Sequence, residues 1–75
     1  MNQYDRKTIG RRLKSGLADK GVSHDELAES IGVSRFTVDA WAQGKVGMSL
    51  ENAVAVCNYF NWPLDRLAVR EESKQ

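Results

Sequence analysis

Apolar residues fall into five short periodic blocks, separated by glycine, serine and proline. In the first, from about Asp5 to Lys20, Ile9, Leu13 and Leu17 recur every four residues and share one helical face. Lys20 suits the negative end of the helix dipole, and Gly21 ends the run. Gly10 and Gly16, if interior, weaken this helix by roughly 1 kcal/mol each. The second block, Ser23 to Ile31, opens with Ser23-His24-Asp25-Glu26, the spacing of a capping box. Leu27, Ala28 and Ile31 make its inner face, and Gly32 stops it. The third starts at once. Ser34 is its N-cap, the helix runs from Arg35 to Gln43, Val38 and Trp41 face inward, and Gly44 ends it.

After the loop Lys45-Val46-Gly47-Met48, Ser49 caps a fourth helix from Leu50 to about Phe60. Its apolar set is Leu50, Ala53, Val54, Val56, Cys57 and Phe60. A fifth short helix is expected near Pro63, a good first-turn residue, with Leu64 and Leu67 turned inward. The tail from Arg70 to Gln75 is polar and expected to fray. The pattern predicts an all-α fold, a compact five-helix bundle without strands. The expected buried set is Ile9, Leu13, Leu17, Leu27, Ile31, Val33, Val38, Trp41, Leu50, Cys57, Phe60, Leu64 and Leu67.

Composition narrows the function. Seventy-five residues, 41% of them hydrophobic, make one domain over 1–75, with an ordered core expected over about 5–69. One cysteine, Cys57, forms no internal disulfide and no thiolate metal site. With one histidine, His24, the chain offers few groups for catalysis and no metal or phosphate-loop motif, so no enzyme activity, cofactor or small-molecule substrate is expected. No apolar core of signal-peptide length opens the chain, and no run approaches the ~20 residues of a membrane span. A reducing cytoplasm is the expected compartment. The net charge is only +1, but it is unevenly spread. Arg6, Lys7, Arg11, Arg12 and Lys14 face a single acid, Asp5, and the acids Asp19, Asp25, Glu26 and Glu29 follow as a group. The basic run is either a solvated helix face or a surface for an anionic partner.

The informative segment runs from Leu27 to Trp41. Gly32, Val33 and Ser34 alone separate two short helices, so the helices must cross steeply. Ala28 allows close approach, and Val33 plugs the corner. The second helix then presents its N-terminal end outward, where it can enter a major groove.

These residues resemble the lambda-repressor/Cro-type helix-turn-helix family, also called the XRE family. The resemblance rests on Ile9, Leu13, Gly21-Val22-Ser23, Glu26-Leu27-Ala28, Ile31-Gly32-Val33-Ser34, Thr37-Val38, Trp41, Gly44-Lys45, Ser49-Leu50-Glu51-Asn52, Phe60 and Leu64-Asp65-Arg66-Leu67. It spans about Ile9 to Leu67. It implies a five-helix bundle acting as a transcriptional regulator, a repressor of the phage or prokaryotic kind, that binds an operator in double-stranded DNA as a homodimer. It further implies base contacts from Arg35, Phe36, Thr37, Asp39 and Ala40, and phosphate contacts from His24, Ser34, Gln43 and Lys45. Trp62, Pro63 and Val69 lie toward the end where related proteins pair. The chain departs from the family at Leu17 and Ala42, where many members pair an arginine with a glutamate, and at Met48, often proline.

Several positions carry two readings. Arg35 can bond guanine bidentately, while Asp39 either accepts from a cytosine amine or holds Arg35 one turn earlier. Phe36 either packs on a thymine methyl or is a buried first-turn residue. His24 either meets a phosphate or is a solvated helix-start residue. Cys57 is a small core residue, and Trp41 and Trp62 read as core rather than ligand platforms. A second function stays open: the same bundle could be a protein-interaction module, such as an antitoxin bound to its toxin.

Overall fold

Serine caps and left-handed C-caps set the helix boundaries. The structure, a computed structural model, describes residues 6–67. Five helices follow one another: α1 (Arg6–Lys20), α2 (His24–Ile31), α3 (Arg35–Gln43), α4 (Leu50–Phe60) and α5 (Leu64–Leu67). No strand occurs among the described residues. The Ser23, Ser34 and Ser49 side chains accept from the amides of Glu26, Thr37 and Asn52, at 3.1, 3.2 and 3.1 Å. Glu26 Oε1 in turn accepts from the Ser23 amide at 3.0 Å, completing the capping box. Pro63 stands just before α5 rather than in its first turn, and its carbonyl accepts from the Arg66 amide at 3.0 Å.

One core joins the helices. Ile9, Leu13 and Leu17 of α1 meet Leu27 and Ala28 of α2, Val38, Trp41 and Ala42 of α3, Ala53, Val56, Cys57 and Phe60 of α4, and Leu67 of α5. Leu13, Leu27, Val38, Val56 and Leu67 are fully buried, and no polar or charged side chain is buried among the described residues. Leu17 and Ala42 are both buried, so the join where the family often sets an ion pair is apolar here. Ile31, Val33 and Leu64 are half-buried and pack against the edge of the core.

Leu50 corrects the expected core: it is 59% exposed. It shares its angular position with Cys57 but lies two turns closer to the start of α4. Burial depends on height along a helix as well as on angle, and the core covers α4 only from Ala53 onward. Val54 is also exposed. Asp5, Val69 and the tail from Arg70 lie outside the described residues.

The C-terminal end is tied to α1. Arg12 Nη1 donates to the Arg66 carbonyl at 2.9 Å. The Trp62 ring stacks on Phe60 at 4.7 Å between centroids, and the Arg66 guanidinium lies 4.7 Å from the Trp62 ring centroid. Trp62 is half-buried against the core and Pro63 is exposed.

Candidate nucleic-acid interface

The turn between α2 and α3 determines what α3 presents. Gly32 takes φ 80°, a left-handed conformation that suits glycine. The amides of Gly32 and Val33 both donate to the Ala28 carbonyl, at 2.9 and 3.0 Å, closing the last turn of α2. Val33 packs on the core, and Ser34 immediately caps α3. The inner face of α3 is Val38, Trp41 and Ala42. α1 crosses behind it so closely that Gly10 leaves no space for a side chain against the Trp41 and Ala42 carbonyls. The orientation of α3 is therefore fixed from both sides.

What remains faces outward. Arg35 and Phe36 are exposed, Phe36 at 77%, which excludes the buried reading of that residue. Thr37, Asp39 and Ala40 are half-buried. Thr37 Oγ1 lies 3.1 Å from Ser34 Oγ, so the cap hydroxyl and the threonine hydroxyl share one hydrogen bond. Gln43 and Lys45 are exposed on either side of Gly44, whose left-handed backbone ends α3. A Cβ at Gly44 would lie 3.2 Å from Lys7 Cγ, so the start of α1 packs beside this corner and adds the Lys7 stem to the neighbourhood of Lys45.

Four charged or titratable side chains meet at the other end of α3. Asp39 Oδ1 is hydrogen-bonded to His24 Nδ1, joining α3 to the start of α2. Asp39 Oδ2 lies 3.9 Å from Arg35 Nε, one helical turn earlier. Asp25 Oδ1 lies 3.7 Å from the same Nε. Asp25 was not legible as a member of this group, because its spacing is that of an ordinary first-turn helix acid. Only the α2–α3 crossing sets it against Arg35. The nine sequence-derived positions thus fall into two clusters and a ridge. Asp39 touches both His24 and Arg35, Ser34 and Thr37 touch each other, and Phe36, Ala40, Gln43 and Lys45 lie along the outer side.

Among the described residues, no group of three or more histidine, cysteine or acidic side chains could hold a metal ion, and no helix is long and apolar enough to cross a membrane. Burial pushes the Cys57 thiol pKa up, the direction opposite to activation.

Two short helices joined by the tight turn Gly32-Val33-Ser34, with the second held by a bundle and open at its N-terminal end, define a helix-turn-helix domain. The chain belongs to the Cro/C1-type HTH DNA-binding domain family, which matches residues 12–72. Solved structures agree. The clp gene regulator ClgR of Corynebacterium glutamicum superposes with a TM-score of 0.79 at 32% identity, over 83% of this chain and 66% of that one, just under two thirds of its length. The restriction-modification controller protein C.AhdI of Aeromonas hydrophila has a TM-score of 0.79 at 27% identity, over 84% of this chain and 96% of that one. The P22 c2 repressor, solved in complex with a synthetic operator, shares the fold with a TM-score of 0.75 at 20% identity, over 80% of this chain and 91% of that one. Comparison with curated protein sequences finds no match.

Proposed function

We propose that this domain is a transcriptional regulator, of the repressor kind, which binds an operator in double-stranded DNA with α3 in the major groove. The observation that carries the reading is the open end of α3. Phe36 stands 77% exposed beside an exposed Arg35, on a helix whose other face is locked into the core. A ring so placed is free to pack on a thymine methyl, which supplies an apolar partner for it. Arg35 reaches a guanine edge, Thr37 and Ala40 line the same strip, and Asp39 lies beside Arg35. The phosphate contacts fall to the flanks: His24 and Ser34 at one end, Gln43 and Lys45 at the other.

The domain acts by binding rather than by catalysis, and as a homodimer on DNA, with half-sites about one helical turn, ~34 Å, apart. Trp62 and Pro63 are the pairing residues among those described. The lone thiol, Cys57, suits a reducing cytoplasm. Resemblance to ClgR and C.AhdI, a gene regulator and a controller protein, supports the regulatory reading.

The test is a gel shift at low salt against a randomised duplex pool, followed by repeated selection. Enrichment of one symmetric site is expected. A second reading, a protein-binding module, is favoured by exposed Val46, Leu50 and Val54 on the α3–α4 corner. It takes over if no duplex is retained.

A further inference from the structure

We infer that Asp39 is a positioning residue for specificity, working with Asp25 as an acidic clamp on Arg35. The inference rests on the DNA-binding reading above and says how that site separates a base edge from backbone charge. Arg35 stands at the start of α3 with its side chain 59% exposed. Two carboxylates approach it from different helices, Asp25 from α2 at 3.7 Å and Asp39 from α3 at 3.9 Å. In both pairs the nearest guanidinium nitrogen is Nε. The Nη edge lies farther from either acid, and it is that edge which can meet guanine O6 and N7 end-on. Asp39 is itself held, because His24 takes its other oxygen. Its side chain is 30% exposed, against 68% for Asp25, so it is the fixed arm of the clamp and Asp25 the loose one.

Two consequences follow from the charges. The clamp restricts the rotamers of Arg35 before DNA arrives, so less freedom is lost when the base contact forms. It also sets two negative charges beside the one cation at the tip of α3. The group of two acids and one cation then offers a bare phosphate backbone little net attraction, while a guanine edge, which needs direction more than charge, gains fully. Both distances exceed a good hydrogen bond, so the clamp is weak enough to yield.

Asp39→Asn isolates the effect, since an amide oxygen can still accept from His24 while the charge at Arg35 is lost. Affinities are read for the duplex selected by the wild type and for the unselected pool, in the wild type and in Arg35→Ala, each with and without Asp39→Asn or Asp25→Asn. Exchange of the Arg35 Nε proton with solvent is followed by NMR in the DNA-free proteins. Each Asn variant is expected to raise affinity for the pool, and Asp39→Asn to lower it for the selected site, by up to about fivefold each. The loss on the selected site should vanish in the Arg35→Ala background, the pool gain should persist there as the plain removal of one negative charge near the phosphates, and Nε exchange should quicken in both Asn variants. An Asp39→Asn loss that persists without Arg35 would mean that Asp39 reads a cytosine directly and would overturn the inference, as would unchanged Nε exchange. Failure of the wild type to bind any duplex would overturn the DNA reading instead, and exchange in the free protein would still report whether the clamp exists.

Discussion

A Cβ placed on Gly10 would stand 2.6 Å from the Trp41 carbonyl oxygen and 2.8 Å from that of Ala42. Both are backbone atoms, so they cannot move aside without shifting α3. By propensity alone, Gly10→Ala on an exposed helix would stabilise by about 1 kcal/mol. At this crossing overpacking outweighs the propensity gain, and a net loss of about 1–3 kcal/mol is expected from urea unfolding. Gly16 is crowded by the Trp62 ring, with Cζ2 2.8 Å from an added Cβ. That ring is stacked on Phe60 and covered by Arg66, so it can yield only by giving up this packing, and Gly16→Ala should destabilise as well. By propensity both glycines are weak points of α1, and which helix crosses a glycine is not written in its neighbours. Cys57 was legible as core, since its angular position follows from helical period. Its buried thiol should react with an alkylating reagent at neutral pH only as fast as the protein unfolds, and full labelling of the folded protein would contradict this. Because burial raises the thiol pKa, the unfolded chain ionises first as pH rises. Any contribution of Cys57 to stability is therefore intact below the ordinary thiol pKa and falls above it.

Capping is local chemistry, and the elements it bounds were the most legible part of the fold. Ser23, Ser34 and Ser49 each bond an amide three residues on, and the starts of α2, α3 and α4 follow directly from them. Leu50 shows the limit of such reading. Its period is right for the core, but no spacing along α4 tells how far the neighbouring helices reach. Asp25 shows it again at the candidate site, where membership depends on how α2 crosses α3. Ser34→Ala should lower stability by about 1 kcal/mol in thermal or urea melts, because the Thr37 amide loses its acceptor. The Thr37 hydroxyl loses its partner in the same change. The variant should therefore weaken DNA binding at a temperature where it is still fully folded. A melt identical to the wild type would reject the cap, and normal DNA binding would separate Ser34 from the contact surface.

A net charge of +1 leaves the domain little general attraction to a polyanion. Affinity must then come from where the charges stand, and the two ends of α3 differ. Arg35 at the start is flanked by two acids, and Lys45 beyond Gly44 is exposed near the basic start of α1. The first arrangement suits a base reader and the second a phosphate contact. Lys45→Ala should weaken binding by a similar factor on every duplex and make the dependence of log affinity on log salt shallower by about 0.9, the value for one phosphate contact on B-DNA. Arg35→Ala should behave otherwise, costing about 1–3 kcal/mol per half-site on the selected sequence and relaxing preference at one base position. On unrelated duplexes the loss should be smaller and blind to sequence, since only the charge balance of Arg35 with Asp25 and Asp39 changes there. The measurement is a competition assay over single-base variants of the selected site, repeated at several salt concentrations. Equal losses for both variants on every duplex would mean that Arg35 reads no base. No loss for either would move the functional surface away from α3, toward the exposed apolar corner of Val46, Leu50 and Val54 and a protein partner.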